Sequence, residues 1–594
     1  MELVFLWVEE YKNIKNQGFN FSPKYECNYT KMIDELSITS KNHHQSIFPD
    51  NINITTIVGE NGSGKSSILE LLFTRYNEEK VFFIFFDNEK KEFLLLGTKT
   101  TFKTIEMDDK LKDFYPKYIE CLPNTKALYY SNILNKNDLY LQEFLVPKTY
   151  THTVNISISH LLSQMKLIET NLHGDWNKSI TGFDKIFRSF EIQQIQNAII
   201  LLQDNGVKIP FELPKKLIVQ NINFKSFIEN VKDKLDNKNY KKILEVIEKS
   251  NDSQTIFKNY LSTNLIISLL LENINSNNPI LEELINIVLN QKMTNYLEDF
   301  YTNVKGRLLH HKFTVNGELV NASYINEFFI LADNILSALE GINSSGNDNY
   351  FLELSIADTN FTFLEYYERL IQQSEYFWDI SWRGLSSGEE SFLYQFSRLY
   401  NLKNSFKNDP YKNLVVGNGI AQNLIILIDE GEVTLHPEWQ KKYINYLVEF
   451  LENNFSQNIQ LILTTHSPFI LSDIPSQHLI FLEKGKQAKI NIDTFGANIH
   501  SLLANGFFMK DLLIGEFAKN KIQKAIDILN EEEVNIEQKA FVKNIINYIG
   551  EPFLKNKLQE MYDNAFLDEI ERKNKIQELE KEIEKLKNVD NSQE

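Results

Sequence analysis

One octapeptide constrains this chain more than any other feature. Gly59-Glu-Asn-Gly-Ser-Gly-Lys65-Ser66 fits the pattern G-x-x-x-x-G-K-[ST]. Such a loop works only between a strand and a helix, and both flanks comply. Residues 53–58 (NITTIV) form a β-branched run, and Ser67-Ile-Leu-Glu-Leu-Leu opens a helix. The glycines let successive backbone N–H groups turn inward around phosphates, and the helix adds the positive end of its dipole. Gly59, Asn61, Gly62, Gly64, Lys65, Ser66 and Ser67 are therefore the candidate nucleotide-binding residues. Lys65 would reach the β and γ phosphates, and the Ser66 hydroxyl would hold Mg2+. Glycine is scarce, 22 of 594 residues, so chance is a poor account of the match. The fold class that follows is α/β, with a parallel sheet feeding its loops to a phosphate site.

Three further segments belong to the same chemistry. Leu424-Ile-Ile-Leu-Ile-Asp429-Glu430 is a strand of the fully buried type ending in two adjacent carboxylates. Asp429 would bind Mg2+ through water, while Glu430, on the other side of the strand, would polarise the attacking water. Glu432 is the next candidate for that base. Leu385-Ser386-Ser387-Gly388-Glu389 precedes the helical run SFLYQFSRLY. Serine hydroxyls, a glycine and a helix N-terminus make a second anion site from Ser386, Ser387 and Gly388, although a plainly capped helix would look the same. Thr464-Thr465-His466-Ser467-Pro468 follows another apolar strand and places His466 at a strand end. His436 reads as turn and interface structure rather than chemistry.

The rest of the chain is organised around these motifs. LVFLWVEEYKNI and QGFNFSP read as two β-rich runs, VFFIFF (81–86) and EFLLLG (92–97) as a hairpin, and KALYYSN (126–132) as another strand. From about 155 to 345 apolar residues recur at helical spacing, as in Leu281, Leu284, Ile285 and Val288. The expected domains are an N-terminal head lobe (1–150), a helical insertion (151–375), a C-terminal head lobe (376–508) and a helical C-terminal region (509–594). The last of these carries a short apolar stripe, Ile576, Leu579, Ile583 and Leu586. It is too short to stand alone as a coiled coil.

Charge and composition narrow the function classes. The net charge of −18 argues against a surface built mainly to coat nucleic acid. Two cysteines, Cys27 and Cys121, supply neither a disulfide framework nor a cysteine zinc site. No apolar run reaches the ~20 residues of a membrane span, and the N-terminus carries acids where a signal peptide would be basic. A cytoplasmic protein without membrane partners is expected.

The order Lys65, helical stretch, Ser386, Asp429–Glu430, His466 resembles that of an ABC-type ATPase whose head is split by an insertion. Leu385–Glu389 is similar to the signature motif of that class, in its Ser-Gly-Glu form. His466 resembles its switch histidine. Asn132 falls where the class carries a glutamine. The phrases DEGEVTLHPEWQ, TTHSPFILSDIP and FFMKDLLIGEFAKNKI resemble bacterial phage-defence ATPases grouped with the overcoming-lysogenization-defect proteins. Within that group the ATPase subunits of Septu-type systems, including those linked to retrons, are most alike. The resemblance covers about the first 150 residues and 376–525. Gly431 departs from it, since relatives commonly carry Pro there; catalysis should survive.

The resemblance implies ATP and Mg2+ as ligands, catalytic roles for Glu430 and His466, and a homodimer or higher oligomer formed through the heads. It further implies a regulatory role in antiphage defence beside a separately encoded HNH nuclease, with nucleic acid or a reverse-transcriptase complex as a further partner. No intrinsic nuclease is expected, because no strand-borne Asp-x-Asp with a preceding Glu follows His466. A DNA-repair or chromosome-maintenance ATPase acting directly on DNA is the alternative; it would call for a basic groove and long coiled coils. A transport ATPase would need a membrane partner.

Overall fold

The computed structural model describes residues 1–41, 46–73, 81–97, 101–133, 150–162, 182–204, 208, 211–221, 238, 241, 257–276, 278–289, 298–339, 351–357, 359–371, 374, 377–408, 422–506, 515–531 and 533–566. They divide into two compact units, Met1–Phe508 and Met509–Glu594.

The first unit is built on a seven-stranded sheet. Its spatial order is Tyr150–Asn155, Leu122–Ser131, Asn423–Asp429, Asn458–Thr465, Ile52–Gly59, Leu479–Glu483 and Lys486–Ala488. Every pairing is parallel except the last. Parallel strands need both faces covered, and the side-chain period of two shows how these strands manage it. Ile425, Leu427 and Ile462 face one core, while Leu424, Ile426, Ile428, Leu461 and Leu463 face another. The helix Lys65–Phe73 lies in the first core, with Ile68, Leu69, Leu71 and Leu72 all buried. A helix apolar on nearly every side must be enclosed. The enclosing layer is a second sheet, which includes Glu2–Tyr11, Ile14–Asn20, Val81–Asp87 and Glu92–Gly97. Its middle strands form the expected hairpin around Asp87–Lys91.

The opposite face is covered by the helices Ser387–Asn408 and Pro437–Asn454, through Phe392, Leu393, Phe396, Ile444, Leu447 and Leu451. The segment 182–371 contributes further helices to this core, among them Gly182–Gln203, Phe257–Asn275 and Ser323–Ala338. It is not purely helical. Lys216–Asn221 sits at the centre of a three-stranded antiparallel sheet, between Phe351–Ser355 and Trp378–Trp382. Trp378–Trp382 thus pairs outside the parallel sheet. Helical periodicity around it hid Lys216–Asn221, a short strand whose register is decided by distant partners.

The second unit is described from 515 to 566 and forms three helices, Glu516–Leu529, Ile536–Tyr548 and Pro552–Phe566. They close over Ala525, Ile528, Val542, Ile546 and Leu558. Asn535 and Gln538 cap the second helix reciprocally, satisfying two orphan donors. The stripe Ile576, Leu579, Ile583 and Leu586 lies outside the described residues. Among the described residues, no helix is long and apolar enough to cross a membrane.

Candidate functional site

Strand order and register build the site. Asp429 is in register with Thr464 on one side and Ser131 on the other, and Thr465 with Val58. The C-terminal ends of the acidic strand, the His466 strand and the strand leading into the glycine loop therefore lie side by side. That end of a parallel sheet is where such folds present ligand-binding loops.

The glycine loop needs its glycines for distinct reasons. Gly62 and Gly64 have φ of +75° and +105°, in the region L side chains avoid. At Gly59 an added Cβ would stand 2.4 Å from the Leu482 carbonyl oxygen. Asn61 is exposed in the loop, and Ser67 is buried in the first helical turn. The Lys65 ammonium curls back over the loop and donates to the Gly59 and Glu60 carbonyls at 3.1 and 3.2 Å. Burial pushes its pKa down, and Glu430, Asp429 and Glu432 pull it back up.

Around Lys65 the other strand ends converge. Asp429 is buried and accepts hydrogen bonds from Thr464 Oγ1 (2.6 Å), Ser66 Oγ (3.1 Å) and Tyr129 Oη (3.4 Å). Its pKa is raised because burial outweighs those donors. Glu430 has φ of +49°, a strained conformation for a residue with a side chain, held by its N–H donating to Thr464 Oγ1 at 3.0 Å. Its carboxylate lies 3.2 Å from His466 Nε2, and that hydrogen bond holds its pKa below the usual glutamate value. The same Nε2 is 2.7 Å from Lys65 Nζ. One ring nitrogen cannot accept from the ammonium and donate to the carboxylate at once, so it is shared between them.

A nucleotide and Mg2+ fit these residues. Ser66 Oγ and Asp429 Oδ1 are hard oxygen donors 3.1 Å apart. Among the described residues no group of three or more His, Cys, Asp or Glu side chains could cage a metal by itself. Mg2+ suits such a sparse set, since it keeps several waters and shares substrate phosphates. Ser63 Oγ, in the loop itself, is buried with no hydrogen-bond partner among the described residues.

Ser386, Ser387 and Gly388 behave differently. Ser386 caps the helix Ser387–Asn408: its N–H and Oγ both donate to Glu389 Oε2 at 2.8 Å. Among the described residues, no hydrogen bond or ion pair joins the three to the glycine loop. They pack instead against the loop after the acidic strand, where an added Cβ on Gly388 would meet the Thr434 carbonyl at 3.3 Å. Asn132 joins the same contact, donating to Ser391 Oγ at 2.6 Å and lying 3.4 Å from Thr434 Oγ1. It does not reach Asp429; Tyr129, three residues earlier, does. His436 accepts from the Glu438 N–H and caps the helix Pro437–Asn454, which is the structural role its position suggested.

Several site residues escaped the sequence reading. Thr464 orients both acidic residues, and its only sequence signal was a hydroxyl pair at an apolar strand end. Asn13, at the first hairpin turn, donates to the Gly62 carbonyl at 2.8 Å, and Gly485 N–H donates to Ser63 O at 2.9 Å. Both come from segments remote in sequence, with no local pattern to announce them. Glu432, the reserve candidate for the base, is instead buried at 4% exposure. It accepts from Thr465 Oγ1 and from the His466 N–H, the latter at 3.2 Å.

A parallel sheet that gathers a glycine loop, the Ser66–Asp429 pair and Glu430 at adjoining strand ends has the arrangement of a nucleotide-binding domain. The chain belongs to the AAA ATPase domain family, which it matches over residues 1–471. It is 34% identical over 135 residues to the retron Vc95 probable ATPase of Vibrio cholerae serotype O1 biovar El Tor. It is likewise 34% identical over 123 residues to the retron Ec83 probable ATPase of Escherichia coli. These matches cover 21% of this chain in both cases, and 23% and 21% of the two relatives.

Proposed function

We propose that this chain is an ABC-type ATPase head that closes on a second copy of itself around two ATP molecules. Its turnover regulates a separately encoded effector, an HNH nuclease, in a retron- or Septu-type antiphage system. The observation that carries the ATPase reading is the convergence of Lys65, Ser66, Asp429, Glu430 and His466 at adjoining parallel strand ends. The motif resemblance and the names of the two retron relatives support the biological setting. In this reading 1–150 and 376–508 form a cytoplasmic head, 151–375 interrupts it, and 509–594 follows.

Ser66 and Asp429 would hold Mg2+, which would supply charge neutralisation to a bound nucleotide's phosphates. Lys65 pairs with the same oxygens. Glu430, kept ionised by His466, orients the attacking water and takes its proton. His466 stands where the γ-phosphate arrives, between Lys65 and Glu430. Ser386, Ser387 and Gly388 serve the nucleotide of the opposing subunit.

The test is Glu430→Gln, which keeps the shape and deletes the base. ATP binding should persist while turnover falls by roughly 10²–10⁴. The wild-type chain should hydrolyse ATP and leave DNA intact with Mg2+ present. Wild-type turnover by Glu430→Gln would remove the proposed base.

A further inference from the structure

Glu432 is a buried carboxylate that the proposed chemistry does not use. No lysine or arginine pairs with it among the described residues, so burial raises its pKa and opposes its charge. Burying a carboxylate is costly unless hydrogen bonds satisfy its oxygens, so what those oxygens accept from matters. Two hydrogen bonds from the His466 loop converge on one of its oxygens, Oε1: those of the Thr465 hydroxyl and the His466 backbone N–H. The aim of the side chain is set upstream. Glu430 turns the backbone into the left-handed region, and Gly431 slips past Tyr443 where a Cβ would lie 2.5 Å from its hydroxyl. A second tie runs parallel to the first, with Ser467 Oγ donating to Gln440 Oε1 at 2.7 Å and Gln440 Nε2 donating to the Leu435 carbonyl at 2.9 Å.

We propose that Glu432 is a positioning residue: its carboxylate latches the His466 loop to the acidic loop and so holds the imidazole between Lys65 and Glu430. This rests on the ATPase reading above for its consequence, though not for its geometry. The proton on Glu432 is irrelevant to the latch, because one acceptor oxygen is all it needs.

Three variants test it. In Glu432→Gln the amide oxygen can accept both hydrogen bonds, so kcat should stay within about threefold of wild type. Glu432→Ala should lower kcat roughly 10–100-fold with little change in KM, since the glycine loop is untouched. Thr465→Val should lower kcat less, and its effect should not add to that of Glu432→Ala. The second readout is the His466 imidazole NMR resonance, assigned by its loss in His466→Asn. It should shift or broaden in Glu432→Ala and stay in place in Glu432→Gln. Loss of turnover in Glu432→Gln equal to that in Glu430→Gln would make Glu432 a proton carrier and overturn the latch. An unmoved His466 resonance in Glu432→Ala would overturn it too. If Glu432→Ala does not fold, Thr465→Val takes its place in both measurements. If the wild-type chain hydrolyses no ATP, the ATPase reading fails while the resonance still decides the latch.

Discussion

At the scale of single residues, Lys65 is the sharpest test of the site. Its ammonium is nearly buried, yet among the described residues it has only carbonyls and one imidazole nitrogen as direct hydrogen-bond partners. A phosphate would offer it full charge-assisted bonds in place of these. Lys65→Ala should therefore lower ATP affinity at least about tenfold, read by calorimetry, with the thermal transition of the chain little changed. Unaltered affinity would mean that the loop does not grip the nucleotide through this residue. The candidate residues that converge at the strand ends were legible because each sits in a local pattern: a loop between strand and helix, carboxylates ending an apolar strand, a histidine ending another. Thr464, Asn13 and Gly485 were not, because their contacts depend on register and on hairpin tips that meet the site only after folding.

At the scale of elements, the same contrast holds. Strands bounded by turn residues, such as 81–86 and 92–97, stood out by composition, and the helix Leu281–Leu289 by its spacing. Lys216–Asn221 is too short and too mixed to read locally, and it exists as a strand through its pairing with Phe351–Ser355 and Trp378–Trp382. Gly431 shows how elements lock to each other. Its Cα lies where the Ser387–Asn408 and Pro437–Asn454 helices meet the acidic loop, and Gln395 Nε2 donates to Tyr443 Oη at 2.5 Å beside it. A Cβ there would also stand 2.6 Å from Ile428 Cγ2. Gly431→Ala should thus destabilise the chain by about 1–3 kcal/mol, as overpacking does. Adding Tyr443→Phe, which removes the nearest clashing atom, should recover part of that loss in a denaturant titration. Equal stability of Gly431→Ala and wild type would show that the contact yields without cost.

At the scale of the whole molecule, the question is where the Ser386–Gly388 segment does its work. Among the described residues it makes no hydrogen bond or ion pair to the glycine loop, and its hydroxyl is occupied in capping its own helix. A helix N-terminus with serine hydroxyls is nonetheless an anion site. If it meets a nucleotide, that nucleotide belongs to another copy of the chain, and the interface is the self-complementary kind that a two-fold axis makes. Mixing two dead variants tests this directly. Ser386→Arg places bulk and a charge where the opposing γ-phosphate would dock, and Lys65→Ala removes the grip on the subunit's own nucleotide. Each should be inactive alone. In a mixed dimer one composite site carries both lesions, while the other pairs an intact Lys65 with an intact Ser386. With free subunit exchange and equal amounts, half the dimers are mixed and half their sites are sound, so about a quarter of wild-type turnover should return. Recovery on mixing establishes the shared site. Full turnover by Ser386→Arg alone would show that the segment is only a helix cap, and no recovery despite exchange would place the signature and the glycine loop in the service of separate tasks.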